Sequence, residues 1–277
     1  MPKSSKNTKQ EQSLIFLHVP KAAGSTFYKI IERQYKPNSI FSIDGQRVRE
    51  SIDEFKKLPV AQREEIRVLK GHMYFGLHEL LPQPSTYITI LRDPVERIIS
   101  HYYYVLRSPN HYLYNKVTSQ HMSLKDYVCS GISTELDNGQ TRLLSGLEQT
   151  VFGWEECSTK VLELAKQNIK NHFAVVGLSE RFDETLILLQ KAFAYKIPFY
   201  VQENVTKNRP LKENISQDTL KFIEKYNELD IELYKYAKNN FENIITQQNT
   251  YFERELKVFK LLNKLYGKVY SFCRGAS

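Results

Sequence analysis

The stretch "SLIFLHVPKAAGSTFYKII", residues 13–31, decides the fold. Leu14–Val19 is an apolar run of strand length, and apolar spacing returns with a helical period over Ser25–Gln34. Between them lies Lys21-Ala22-Ala23-Gly24-Ser25-Thr26. Small residues let successive backbone N–H groups turn inward and form an anion nest at a helix N-terminus. Ser25 and Thr26 add hydroxyl donors, and Lys21 adds a point charge. An ATP-type phosphate loop places its lysine directly before the final Ser/Thr. Here Lys21 stands four residues before Ser25, so it meets a phosphate from the strand side. An ordinary strand-to-helix turn is the competing reading.

The next segment outward is "ITILRDPVERIISHYYYV". Thr86–Asp93 has strand composition, and Pro94–Arg107 is helical. Asp93 suits the N-cap and Pro94 the first helical position. Arg92 then falls at the carboxyl end of a strand, where open α/β sheets bind ligands. Ser100 follows two turns later, so Arg92 and Ser100 together suit a second phosphate, with an ion pair as the structural alternative for Arg92. Ile66–His72, "IRVLKGH", is a strand ending in Gly-His.

Further elements are a short strand at Ser39–Asp44, helices at Gln46–Lys57 and Ala61–Glu65, and a loop over 108–122. Helices follow at Ser123–Ser130, Thr134–Ser145 and Ser158–Asn171. "FAVVGLSE" is a strand, and the helix after it carries Phe182, Leu186, Leu189 and Phe193 on one face. Two long helices, Ser216–Asn239 and Asn249–Tyr266, end the pattern. Strands alternating with helices predict an α/β fold with a central, mainly parallel sheet flanked by helices. The expected organisation is a disordered basic tail at 1–12 and a single domain over 13–277 that includes the C-terminal helices.

A chain of 277 residues with 41% hydrophobic residues can bury a substantial core. Its net charge of +8 favours an anionic partner, whether nucleic acid, acidic glycan, nucleotide or membrane surface. No apolar run is long enough to span a bilayer. "MPKSSKNTKQEQ" has lysines without an apolar centre, so no secretory signal is read and a cytoplasmic location is expected. Three scattered cysteines, Cys129, Cys157 and Cys273, suggest neither a disulfide framework nor a metal knuckle.

Taken together, "FLHVPKAAGST" and "ITILRDPVERIISHYYY" resemble the phosphosulfate-binding pair of sulfotransferases that use 3′-phosphoadenosine 5′-phosphosulfate (PAPS). The similarity is greatest to the branch containing the heparan sulfate 2-O- and 6-O-sulfotransferases and their bacterial relatives. It extends through "KGHMYFGLHELLP", "TELDNGQTRLLSG" and "AKQNIKNHFAVVGLSERFDETLILL", and so covers most of residues 13–210. The resemblance implies a P-loop-containing sulfotransferase fold, PAPS as co-substrate and sulfuryl transfer to a carbohydrate hydroxyl by in-line displacement.

By that resemblance Lys21, Ala22, Ala23, Gly24, Ser25 and Thr26 hold the 5′-phosphosulfate, and Arg92 and Ser100 the 3′-phosphate. Thr206, Lys207 and Arg209 in "NVTKNRP" are implied to close over the nucleotide. The acceptor hydroxyl needs a base, for which histidine suits neutral pH. His72, after Gly71 at a strand end, is the expected base and matches the family's Gly-His. His78 is the runner-up and His18 is read as structural. Lys21 is placed to stabilise charge on the leaving oxygen, so no metal is required. His101, Gln140, Thr141 and Arg142 are the expected acceptor contacts, with a solvated helix face as the plain alternative for the last three.

On the C-terminal helix Arg254, Lys257, Lys260, Lys264 and Lys268 form one stripe. It reads as the solvated face of a docked helix, or as a surface for polyanionic acceptor or acidic membrane, the latter a peripheral contact. Partners are therefore a carbohydrate acceptor and no nucleic acid. Competing readings are a non-catalytic basic module binding acidic glycan or nucleic acid, another P-loop nucleotide transferase, and a sulfotransferase fold without activity. A kinase would need Gly-Lys-Ser/Thr adjacency and a magnesium-binding Asp, and Asp93 is better explained as a cap.

Overall fold

The computed structural model describes residues 12–147, 153–202, 210–248 and 250–275. Five strands form one all-parallel sheet: β1 (Ser13–Leu17), β2 (Ile40–Ile43), β3 (Val68–Gly71), β4 (Ser85–Leu91) and β5 (Phe173–Leu178), in the order β2-β3-β1-β4-β5. β1 is central and buried along its whole length, as a strand covered on both faces must be. Its register pairs Leu14 with Val68 on one side and Thr86 on the other. From β1 the chain goes out to the edge strand β2, returns to β3 beside β1, then crosses to β4 on the other side. The strand order therefore reverses at β1 and β4, the place where such sheets bind ligands.

The first six helices are α1 (Gly24–Gln34), α2 (Val48–Lys57), α3 (Val60–Glu64), α4 (Pro94–Leu106), α5 (Tyr114–Ser119) and α6 (Leu124–Cys129). The remaining six are α7 (Gly139–Ser145), α8 (Thr159–His172), α9 (Phe182–Phe193), α10 (Gln217–Tyr226), α11 (Glu228–Thr246) and α12 (Thr250–Gly275). α4 starts as its sequence dictates: the Asp93 carboxylate accepts the Glu96 N–H at 3.0 Å, with Pro94 next in line. One core surrounds the sheet. A second joins Ile98, Ile99 and Val105 of α4 to Val117, Leu124, Tyr127, Leu220 and Ile223.

Three expectations need correction. The 108–122 loop contains α5, whose Val117 plugs the second core. The expected Thr134–Ser145 helix is broken. A short 3-10 turn, Thr134–Leu136, is followed by Asn138 in the left-handed region (φ 50°), and only then does α7 begin. Asn tolerates that conformation where most residues do not. The expected Ser216–Asn239 helix is likewise two helices, divided at the fully buried Asn227, whose side-chain amide donates to Leu136 and Ile223 carbonyls.

Candidate active site

The carboxyl ends of β1, β3 and β4 open into a cleft of about 1940 Å³. Its walls bring together the segment after β1, His72 after β3, Arg92 after β4, and one face of α4. That face is Arg97, Ser100, His101 and Tyr104, spaced three and four residues apart so that they share one side of the helix. The opposite side of α4 is the apolar one already placed in the second core.

The loop after β1 is bent by two left-handed residues, Lys21 (φ 67°) and Ala23 (φ 62°). No side chain caps α1, so its N-terminal N–H groups face the cleft as an anion site. Gly24 is required by close approach: a Cβ there would stand 1.8 Å from His18 Nε2. Ala23, Gly24, Ser25 and Thr26 line the cleft. Ala22 does not, because its methyl is buried in the core and its N–H is directed to the Val19 carbonyl at 3.4 Å. The Lys21 ammonium sits 3.6 Å from the centre of the Tyr104 ring. Burial, then the nearby Arg107 and Arg92 charges, draw its pKa down to about 7. Three cations converging on one partly buried spot are a donor set that suits a phosphate.

Arg92 donates from its guanidinium to the Lys21 carbonyl at 2.9 Å and pairs with Glu96 at 3.4 Å. The Gln140 side chain holds the Arg92 backbone from both sides, accepting its N–H at 3.1 Å and donating to its carbonyl at 3.0 Å. The Ser100 side chain is on the same wall, mostly buried.

His72 lies at the centre. Gly71 before it adopts φ 152°, and a Cβ there would stand 2.5 Å from the Ile43 carbonyl, so glycine is what allows the turn. The His72 Nδ1 is 3.0 Å from the His18 carbonyl oxygen. A carbonyl only accepts, so Nδ1 carries the proton and Nε2 keeps its lone pair. The two imidazoles stack at 4.2 Å. Burial lowers the His72 pKa below its usual value, opposed by Glu135 and the bond to His18, and assisted by Lys21 and His101. Burial, with His72, Lys21 and Lys70, holds His18 well below its usual value too. His18 also lines the cleft, between the loop after β1 and His72.

A second cluster lies across the cleft. The Glu135 carboxylate accepts from His101 Nε2 at 3.0 Å and from the Tyr112 hydroxyl at 3.1 Å. Burial alone would raise the Glu135 carboxyl, but the His101 hydrogen bond and charge, the His72 charge and the Tyr112 bond outweigh it and hold it at about 2. His101 Nδ1 is 2.7 Å from the Tyr127 hydroxyl, so both His101 ring nitrogens are occupied. Any acceptor contact by His101 is then indirect, through Glu135. His111 also lines this wall, its pKa brought to about 4 chiefly by burial and then by His101.

The polar run 134–146 corrects the acceptor assignment. Gln140 and Thr141 are fully buried and do not line the cleft. Their backbone N–H groups donate to the Asp230 carboxylate at 3.1 and 2.7 Å. Arg142 touches the cleft wall, but its guanidinium is committed to Asp137 at 2.5 Å and to the Gly153 carbonyl at 2.8 Å. These groups are turned into the protein, the Thr141 hydroxyl buried there without a hydrogen-bond partner among the described residues. His78 is also removed from the chemistry: its ring packs among Phe75, Tyr87 and His172, with Nδ1 3.0 Å from the Tyr87 hydroxyl. Thr206, Lys207 and Arg209 lie outside the described residues. Sequence reasoning passed over Glu135, His111 and Tyr112. The one signal for the last two was a loop longer than a compact fold usually tolerates without function.

Residues 6–237 match the model of the sulfotransferase family, and the chain belongs to that family. It is 31% identical over 186 residues to mouse heparan-sulfate 6-O-sulfotransferase 3, covering 56% of this chain and 38% of the relative. It is 28% identical over 206 residues to heparan-sulfate 6-O-sulfotransferase 1 of Cricetulus griseus, covering 64% and 48%. The matches thus span less than half the length of these relatives. Among solved structures it is similar to mouse sulfotransferase SULT7A1 complexed with PAP, at 13% identity and a TM-score of 0.38, over 80% of this chain and 64% of that one.

Proposed function

We propose that this chain transfers a sulfuryl group from PAPS to a carbohydrate hydroxyl, with His72 as general base. One observation carries the reading: the His18 carbonyl fixes the proton of His72 on Nδ1, which leaves Nε2 a basic lone pair in the same cleft as the Lys21 loop and Arg92. His72 Nε2 takes the acceptor proton while the new O–S bond forms. The bridging O–S bond to the 5′-phosphate breaks, and Lys21 and the α1 N-terminus stabilise the charge left there. Arg92 and Ser100 are suited to the 3′-phosphate. The cleft exceeds the roughly 300–1,000 Å³ usual for one small ligand, which leaves room for donor and acceptor together. The names of the relatives support a carbohydrate acceptor.

The test is incubation of the full chain with labelled PAPS and a panel of glycans, heparan-type included, with mass spectrometry of the products. His72→Ala should lower turnover by about 10²–10⁴-fold and leave affinity for the 3′,5′-bisphosphate nucleotide nearly unchanged. Turnover within a few-fold of wild type would remove the base from His72. Arg92→Ala should instead weaken nucleotide binding, and unchanged affinity would remove its phosphate role.

A further inference from the structure

α12 docks by one face only. Phe252 and Phe259 are buried, Phe259 and Tyr266 stack on Phe199 at 5.8 and 5.7 Å, and Asn263 accepts the Tyr200 N–H at 2.7 Å. A different face is apolar and open. Val258 (55% exposed), Leu261 (62%), Leu265 (50%), Val269 (62%) and Phe272 (79%) recur at three- and four-residue spacing. A run of large exposed apolar side chains on one helix is not what a solvated surface carries.

The flank between these two faces is cationic. Lys257, Lys260, Lys264 and Lys268 are all exposed, and Leu256 to Phe272 contains no Asp or Glu. Three occupants can be weighed against this pairing of apolar stripe and lysine row. An acidic glycan would satisfy the lysines but leave the stripe in water. A second copy of the helix would cover the stripe but bring two lysine rows together, and like charges facing each other oppose association. An anionic bilayer answers both, because hydrocarbon takes the stripe while headgroup phosphates take the lysines. Among the described residues no helix is long and apolar enough to cross a membrane, so the contact is one that lies along the surface.

We infer that α12 is an interfacial helix that holds the protein on an anionic lipid surface through Leu261, Leu265, Val269 and Phe272, with its lysine row at the headgroups. The proposal does not depend on the catalytic reading. The test is flotation of the full chain with phosphatidylcholine vesicles, with and without phosphatidylglycerol. The protein should float with the mixed vesicles, remain behind with neutral ones, and be released by salt. Leu265→Gln with Val269→Gln should cut binding by at least about tenfold. Each Lys→Gln change in the row should cost about fivefold.

Circular dichroism and donor-nucleotide affinity should stay at wild-type values in all of these variants, which separates lost docking from lost folding. Equal flotation with neutral vesicles, or none with either, overturns the proposal. So does a dimer in sedimentation velocity that Leu265→Gln dissolves, which would make the stripe a self-association seam.

Discussion

If the Lys21 loop holds the donor as proposed, a lysine whose pKa is drawn down to about 7 makes donor affinity a function of pH. An anionic ligand stabilises the charged ammonium, so Lys21 is raised in the complex relative to the free protein. Affinity is then greatest below pH 7 and falls about tenfold per pH unit above it until the bound-state pKa is reached. Calorimetry with the bisphosphate nucleotide across that range should show this slope, and Lys21→Met should flatten it; a slope of the opposite sign would place the ligand away from Lys21. His72 gives the second dependence. Its pKa is lowered, chiefly by burial, so the neutral base persists below the ordinary histidine value of 6.5. The acid limb of kcat/KM should therefore lie below pH 6.5, and a limb above it would point to a base elsewhere. The hydrophobic pattern marks the strand ends, so Lys21, His72 and Arg92 could be placed at one edge of the sheet from sequence alone, and the structure brings Ser100 of α4 into the same cleft. Glu135, His111 and Tyr112 could not be placed so: His111 and Tyr112 come from a segment with no period to read, and Glu135 from one that reads as the start of a continuous helix.

α7 and α11 cap one another across the chain. The Asp230 carboxylate of α11 accepts the first free N–H groups of α7, and Asn138 Oδ1, just ahead of α7, accepts the Leu229 and Asp230 N–H groups at 2.9 and 3.1 Å. Arg97 approaches the same carboxylate at 3.5 Å with both side chains buried. Asp230→Ala strips three groups, the Gln140 and Thr141 N–H and the Arg97 guanidinium, of their acceptor or counter-charge, and leaves that guanidinium buried with the Glu135 carbonyl but no carboxylate. Urea denaturation should show a loss of about 3–5 kcal/mol, whereas a loss below about 1 kcal/mol would mean that water replaces the carboxylate. This exchange explains why "TELDNGQTRLLSG" reads like a binding surface. Polar residues that cap a partner ninety residues away look, in one dimension, the same as polar residues that wait for a ligand. The strands raised no such ambiguity: each was found within a few residues of its place, because continuous apolar runs between turn signals are local information.

One helix serves both the second core and the cleft. α4 presents Val95, Ile98, Ile99 and Val105 to the outer helical cluster and Arg97, Ser100, His101 and Tyr104 to the cleft, so neither side is built without it. We expect a single cooperative urea transition, with the fluorescence of Trp154, which packs against the outer cluster and Tyr226, coinciding with far-UV circular dichroism. Two separated transitions would divide the chain into independent units. The dual allegiance of this helix also limits how the molecule can be altered. A substitution that tightens the outer cluster tilts or slides the wall on which Ser100 stands, and on the proposed function that changes the grip on the donor. Thermal hardiness and donor selectivity would then be traits that an engineer, or a lineage, adjusts together.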